Sequence, residues 1–152
     1  MTTTENSEQL VTVLVDGQLF GVPVMLVEDV LGPQKITRIP LAPAEVDGAL
    51  NLRGRIVTAI DLRTRLGLPK RAAEQDCMSV VVEHEGEPYS FLIDSVGEVL
   101  SLPVDGMERN PATLDPTWRE VSAGIYRLEG ELLVMLDVQR LLDFGQNAAV
   151  AA

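Results

Sequence analysis

The chain has 152 residues, of which 46% are hydrophobic and 23% are charged. This is the profile of a globular protein, because a disordered chain carries fewer apolar residues and a membrane protein carries long uncharged runs. Twelve lysines and arginines against 23 aspartates and glutamates give a net charge of −11, which disfavours binding to nucleic acid or insertion into an anionic membrane. No basic and apolar leader opens the sequence, so we expect a cytoplasmic protein.

The first predicted element is a β-hairpin. Apolar and polar residues alternate over 11–15, and a second short strand is predicted over 19–22. Asp16 and Gly17 separate them, and glycine accepts the positive φ that a tight hairpin turn requires. The run 27–30 that follows is predicted to be another strand.

A second tight turn is predicted at 53–55. The apolar run 56–60 after it is predicted to be a strand, and Asp61 is well placed to cap a short helix over 62–66. A further short turn is predicted over 43–47.

This pattern occurs twice along the chain. Residues 17–31 match residues 86–100 at an offset of 69, and residues 48–62 match residues 124–138 at an offset of 76. The second copy again has a glycine turn, an apolar strand ending at an aspartate, and a short helix near the C-terminus, over 138–142. Its extra residues fall in a proline-rich stretch that predicts an irregular loop, in which we place Trp118 as a plug over the junction of the two copies.

Two copies of a unit with four or five short strands predict an all-β fold of two small barrels, because closure removes exposed sheet edges. We predict flexible tails and two barrel units, with a polar crossover over 69–76 and with strands that can exchange between the units. The predicted boundaries are 1–9 for the N-terminal tail, 10–70 and 71–144 for the first and second β-barrel units, and 145–152 for the C-terminal tail.

Few residues are available for catalysis or metal binding. His84 is the only histidine and lies in a predicted turn, so a zinc site with two imidazoles is excluded. Cys77 is the only cysteine and precedes an apolar run, which is typical of an inert, half-buried strand residue. The glycine-rich motifs that bind phosphate are absent. We therefore predict a protein that is not an enzyme and that uses no cofactor and no metal.

Residues 48–63 resemble the G-x-x-N-L-R-G-x-x-x-P-x-x-D-L-R stretch of the CheW family, the coupling proteins of bacterial chemotaxis. The segments 20–30 and 37–43 are similar to that family's first hairpin and to its turn before a short helix. Residues 93–99 are similar to its D-x-V-x-x-V segment, and the resemblance extends from about residue 10 to residue 142. Thr58 departs from the pattern, because the family commonly has proline there, and we expect this to alter local edge pairing more than function.

The resemblance implies two SH3-like five-stranded β-barrels, related by internal duplication, with short helices. It implies a non-catalytic adaptor that couples methyl-accepting chemoreceptor tips to the regulatory domain of the histidine kinase CheA. Two alternatives remain open. One is a barrel that binds a small molecule between its halves, and the other is a coupling protein of a surface motility or other kinase array.

Six residues are predicted to bind partners or to shape the binding surface. The resemblance assigns Arg53, at a hairpin tip, to a partner contact, for which its planar guanidinium is well suited. Alternation places Val27 and Asp29 on one face of a strand, where Val27 either contacts a receptor helix or packs in the core. Gly48 is expected to have a positive φ after a short helix and to shape the site without touching the partner. The remaining candidates, in the second half, are Val99 and Met78.

Overall fold

Strands dominate the fold. The structure, a computed structural model, describes residues 7–72 and 75–143. Within these residues three short helices form, α1 (Leu62–Arg65), α2 (Pro116–Val121) and α3 (Val138–Leu142), together with single 3-10 turns at Val24–Leu26 and Val104–Gly106. The strands are β1 (Ser7–Val15), β2 (Gln18–Pro23), β3 (Val27–Leu31), β4 (Val46–Leu52), β5 (Arg55–Asp61), β6 (Met78–His84), β7 (Glu87–Ile93), β8 (Ser95–Pro103), β9 (Ser122–Leu128) and β10 (Glu131–Leu136).

The strands form two five-stranded sheets. Sheet I has the order β8-β1-β2-β10-β9, and sheet II has the order β3-β6-β7-β5-β4. All neighbouring pairs are antiparallel except β2 with β10 and β5 with β7. The prediction of a mostly β fold with a few short helices is therefore confirmed. Thr58 lies on β5, which pairs with β7 on one side and with β4 on the other. Since β5 is not an edge strand, the prediction that Thr58 alters edge pairing is wrong.

The two sheets reproduce the sequence repeat through an exchange of strands. If each strand is replaced by its counterpart five places along the chain, the order of sheet I becomes the order of sheet II. Each sheet thus takes the first two strands of one copy and the last three strands of the other copy. The exchange makes the two halves of the chain depend on each other for their ladders of backbone hydrogen bonds.

The sequence boundaries of the units do not coincide with those of the sheets. Sheet I combines β1 and β2 from the first copy with β8, β9 and β10 from the second, so the boundary near residue 71 separates repeats and not sheets. Residues 7–9, predicted to belong to a flexible tail, are part of β1 and pair with Ser101, Leu102 and Pro103 of β8, because backbone pairing does not require apolar side chains. Residues 1–6 and 145–152 of the predicted tails lie outside the described residues.

The tight turns and helix caps form at the residues that the sequence predicts. Asp16 and Gly17 have φ of 52° and 80°, and Glu85 and Gly86 have φ of 53° and 81°, so the two related hairpins turn in the same way. Asp61 caps α1 by accepting a hydrogen bond from the backbone N–H of Arg63, and Asp137 caps α3 by accepting one from the backbone N–H of Arg140. These predicted turns and caps are confirmed. None of the helices in the described ranges is both long enough and apolar enough to span a membrane.

Alternating strand residues bury both faces of each sheet. A central cluster of buried residues fills the space between the sheets and includes Val11, Val13 and Val15 of β1. The opposite face of sheet I buries a second cluster, and that of sheet II buries a third. The second cluster consists of Leu10, Tyr126, Leu133 and Met135, and the third of Leu50, Val57, Ala59 and Leu92.

Trp118 lies on helix α2 and not in an irregular loop. Asp115 caps this helix by accepting from the Thr117 N–H. The indole of Trp118 packs edge to face on Phe20 with 5.3 Å between the ring centroids. Its Nε1–H donates to the Leu66 carbonyl oxygen at 3.0 Å. The side chain therefore joins β2 of sheet I to the end of helix α1, which connects β5 and β6 of sheet II, as expected of a plug at the junction.

Asp94, between β7 and β8, holds a second junction together. Its carboxylate accepts hydrogen bonds from Arg63 at 2.7 and 3.0 Å, from Arg71 at 3.0 and 3.2 Å, and from the Asp16 N–H at 2.8 Å. Arg63 also donates to the Pro69 carbonyl oxygen. Burial favours a higher pKa for Asp94, but the bonds from Arg63, Asp16 and Arg71 outweigh it and lower the pKa to about 2. One carboxylate thereby ties the first hairpin, α1 and the crossover segment together.

Candidate protein-docking surfaces

Arg53 lies at the tip of the turn between β4 and β5, as predicted. Arg53 and Gly54 both have positive φ, 54° and 87°, and the Asn51 side chain accepts a hydrogen bond from the Gly54 N–H at 3.0 Å. The N-L-R-G motif therefore has a local structural reason, because its asparagine and glycine stabilise a tight turn that lifts the arginine into solvent. The Arg53 side chain is 75% exposed.

Asp29 of β3 lies next to Arg53, although nothing in the sequence predicts the pair. Their side chains form an ion pair with 2.9 Å between Nη2 and Oδ2. Since β3 and β4 are the opposite edges of sheet II, this contact brings the two edges of the curled sheet together. Complete barrel closure stays a prediction. The pair, which we call the Arg53–Asp29 corner, offers a partner one exposed guanidinium and one partly exposed carboxylate.

Gly48 shapes this part of sheet II from within β4. Its φ of 154° is positive, as predicted, but it lies at a β-bulge opposite Ala59 and does not follow a helix. The segment before β4 runs over it, with Thr37 and Ala49 exchanging two backbone hydrogen bonds of 2.8 Å. A Cβ atom on Gly48 would collide with the Thr37 carbonyl oxygen and with Ile36 Cγ2. Gly48 is buried and does not itself offer a contact surface.

Replacing Gly48 with alanine is expected to lower the free energy of unfolding by about 3 kcal/mol, because the new methyl group meets backbone and φ is unfavourable for an L-residue. Urea denaturation monitored by circular dichroism measures the effect. Gly32→Ala is the matched control, since no atom lies within 4 Å of its added Cβ, and we expect a change below about 0.5 kcal/mol. Equal stability of the two variants would contradict the bulge assignment.

An open cleft separates the start of β3 from the end of β8. Its volume is about 820 Å³, and its apolar side chains come from the 3-10 turn Val24–Leu26 and from Val104. Met25 is 95% exposed there, Leu26 41% and Val104 50%. Polar residues at the start of β1 form the opposite wall. Contiguous exposed apolar side chains bordered by polar residues are typical of a binding site for another protein. We call it the β3–β8 cleft.

The other predicted site residues lie in different environments. Val99 of β8 is 56% exposed and pairs through its backbone with Val11, so its side chain is available to a partner. Val27 is half-buried and packs against the central cluster, which favours the core interpretation of this residue. Met78, at the start of β6, also packs against that cluster. The structure thus brings Arg53 and Asp29 into contact, and it does not join them to Val99 or Met78.

Several exposed apolar residues were not predicted as site residues. Besides Met25, they include Ile56, 67% exposed on β5, and Leu41, with a fully exposed side chain. A signal was available for Ile56, which lies one residue beyond the R-G-R turn and begins an apolar strand. None was available for Met25 or Leu41, since their exposure depends on how distant segments pack. Cys77 is half-buried and burial raises its thiol pKa, which agrees with an inert strand-edge residue.

A sequence profile of the CheW-like domain matches residues 9–146. The chain belongs to the CheW-like domain family. A chemotaxis protein CheW of Klebsiella aerogenes is 27% identical over 86% of this chain and 79% of its own length. One from Rhizobium meliloti is 27% identical over 96% of this chain and 94% of its own length. The protein PilI of Pseudomonas aeruginosa is also similar, at 27% identity over 78% of this chain and 66% of its own length.

The fold agrees with that of a solved CheW-like protein. The crystal structure of the scaffolding protein TtCheW from Thermoanaerobacter tengcongensis matches with a TM-score of 0.76 and 28% identity, covering 85% of this chain and 88% of that protein. This CheW-like chain is accordingly a scaffold protein of chemotaxis-type signalling and not an enzyme. Among the described residues no group of three or more histidine, cysteine or acidic side chains is arranged to hold a metal ion.

Proposed function

We propose that this CheW-like chain couples methyl-accepting chemoreceptors to the regulatory domain of the histidine kinase CheA by binding both at once. The observation that carries the proposal is the presence of two separate surfaces suited to proteins. The β3–β8 cleft presents apolar side chains, and the Arg53–Asp29 corner presents charge at a rigid turn. The chain then couples the two proteins by holding them side by side. The signalling state of the receptor changes the populations of active and inactive kinase only if the contacts they share differ between these states.

The cleft is assigned to the receptor tip. A receptor tip is a helical hairpin, and an amphipathic helix binds by laying apolar side chains into a groove of this kind. Met25 lines the cleft, and Val99 lies two residues before the lining residue Ser101, on the same face of β8. The chain would act in the cytoplasm and reach the membrane array through its partners.

The corner is assigned to the kinase. Arg53 projects from a turn whose backbone is fixed by the hydrogen bond between Asn51 and Gly54, so little backbone entropy is lost when a partner binds there. Ile56 follows on the same hairpin and is 67% exposed, which adds an apolar contact beside the charge. Arginine is one of the residues most enriched at the energetic centre of protein interfaces.

Met25→Glu and Val99→Glu are each expected to weaken binding of a soluble receptor tip fragment about tenfold or more, because a carboxylate would lose water on entering an apolar interface. Isothermal titration calorimetry measures this effect. Met107→Glu is the control, since Met107 is 38% exposed and does not line the cleft. Unchanged affinity of the Met25 variant would remove the cleft from the receptor interface.

Two alternative functions predict different binding partners or ligands for this chain. The similarity to PilI supports a second candidate, coupling in another kinase array such as one for surface motility, in which case receptors and kinase from that array would bind instead. A barrel that binds a small molecule would gain thermal stability from a metabolite in a thermal-shift screen. A scaffold with open docking surfaces is expected to show no such gain.

A further inference from the structure

The loop between Thr37 and Val46 carries the most exposed apolar side chain in the described part of the chain. Leu41 is fully exposed, and its φ of 61° lies in the left-handed region that bulky L-residues avoid. Ile39, two residues earlier, is 39% exposed. In the isolated chain the unfavourable backbone conformation of this leucine is not offset by burial of its side chain. Such strain is a sign of a functional position.

Beneath this loop is a pocket of about 680 Å³, formed by the loop itself, the start of β4 and Lys70. Arg38 and Lys70 line the pocket, and neither forms an ion pair with any other residue that the structure describes. Asp47 is its single acidic residue, so the pocket has a local charge of +1 on a chain whose net charge is −11. Two unpaired cations at one pocket of so acidic a protein favour an acidic ligand.

The sequence repeat shows which segment of the second copy corresponds to this loop. The bridge between Thr37 and Ala49 corresponds to the bridge between Glu108 and Ile125. The bond from the Asp61 N–H to the Glu45 carbonyl corresponds to that from the Asp137 N–H to the Val121 carbonyl, at 2.9 and 2.8 Å. The segment 38–45 therefore occupies the same place in the first copy as the segment 109–121 in the second.

The second copy fills this place with its own helix. There the longer segment forms α2, whose Trp118 packs against Phe20 and whose Val121 is buried. The shorter segment of the first copy forms turns only and leaves a pocket open. The first copy therefore has an open pocket beside the segment that corresponds to α2.

We propose that the pocket beneath the 38–45 loop, which we call the loop pocket, binds a short acidic segment of a partner protein that inserts one aromatic side chain. The aromatic group would pack on the exposed apolar side chains of Leu41 and Ile39, which line the pocket. The acidic groups of the segment would pair with Arg38 and Lys70. A second copy of this chain is a poor occupant, because two chains of charge −11 repel each other. The site is separate from the β3–β8 cleft and from the Arg53–Asp29 corner.

A defined peptide tests the proposal. The probe is a fluorescein-labelled nine-residue peptide with one central tryptophan among four glutamates, added to the full chain and followed by fluorescence anisotropy. We expect saturable binding of this peptide. The affinity should fall about tenfold or more in the double variant Arg38→Glu/Lys70→Glu, and it should also fall as the salt concentration rises. A peptide with alanine in place of tryptophan, or lysine in place of glutamate, is expected to bind about tenfold more weakly.

Two variants separate docking from folding. Leu41→Gly removes the side chain and relieves the left-handed conformation, so we expect weaker peptide binding without a lower melting temperature. Lys35→Glu makes the same charge change as Lys70→Glu alone, at a residue outside the pocket, and is expected to leave binding intact while Lys70→Glu weakens it. The proposal is overturned if the peptide does not bind, if Lys35→Glu weakens binding as much as the pocket variants, or if sedimentation shows that a second copy occupies the pocket.

Discussion

Replacing Asp94 with asparagine is expected to lower the free energy of unfolding by about 3 kcal/mol. The side chains of Arg63 and Arg71 are only 10% and 9% exposed. The substitution removes the ion-pair partner of Arg71 and leaves Arg63 with the more distant Asp16, at 3.9 Å. Removing one member of a buried ion pair destabilises the fold by more than the net stability that the pair contributes, because the remaining charge stays buried without a partner. Urea denaturation of the variant and of the parent chain measures the difference.

The same carboxylate gives the protein a component of acid sensitivity. Its pKa is 3.8 in an unfolded chain and about 2 in the folded protein, so the stability it contributes is complete above about pH 4. That contribution, about 2 kcal/mol, is lost as the pH falls from about 4 to 2, when the folded carboxylate takes up its proton. The stability difference between the parent chain and Asp94→Asn should therefore shrink over this interval.

Glu108→Gln is the matched control for Asp94→Asn. Glu108 pairs with Arg127 at 2.9 Å, but both side chains are exposed, and such pairs contribute at most about 1 kcal/mol. A similar loss of stability in the two variants, or a difference for Asp94→Asn that does not change between pH 5 and 2, would contradict the assignment of Asp94 as the charged centre of the junction.

Arg53→Glu is expected to abolish receptor-dependent stimulation of the kinase while the fold stays intact. The ion pair with Asp29 lies at the surface, so its loss costs about 1 kcal/mol or less. In an interface, however, the substitution places a second carboxylate beside Asp29, where a partner has adapted to a guanidinium. Melting temperature and kinase stimulation, measured side by side in a reconstituted system, separate the two effects.

A charge swap distinguishes a partner contact from an internal one. Arg53→Asp combined with Asp29→Arg restores the ion pair but moves the guanidinium from the turn to β3. If Arg53 touches the kinase, the swap should stay inactive, whereas recovery of stimulation would mean that only the pair matters. Arg127→Glu, which breaks an ion pair of equal length on sheet I, is expected to leave stimulation unchanged. Normal stimulation by Arg53→Glu would refute the assignment altogether.

The local elements of this fold could be predicted because their causes are local. The turns at Asp16–Gly17 and Glu85–Gly86 need only a residue pair that tolerates positive φ, and Asp61 and Asp137 need only a helix to cap. Arg53 was predicted on the same grounds, together with the family resemblance. Its partner Asp29 was predicted separately, and their contact depends on the curl of a sheet that the sequence does not encode locally.

The features that could not be predicted depend on contacts between distant segments. The repeat predicts two equal units, but it does not show which strands pair, and the reciprocal exchange depends on tertiary packing. The repeat also conceals an asymmetry, because Met25 and Asp94 occupy equivalent positions. One copy has a carboxylate bound to the crossover residue Arg71, and the other has a methionine that is 95% exposed at the cleft.

We propose that one molecule of this scaffold binds a receptor tip and the kinase regulatory domain at the same time through different surfaces. Analytical ultracentrifugation of the full chain mixed with a soluble receptor tip fragment and the isolated regulatory domain tests it directly. We predict a species containing all three components, which loses the receptor fragment in Met25→Glu and loses the kinase domain in Arg53→Glu. Mutual displacement of the two partners, or binding of neither, would contradict simultaneous binding at two surfaces.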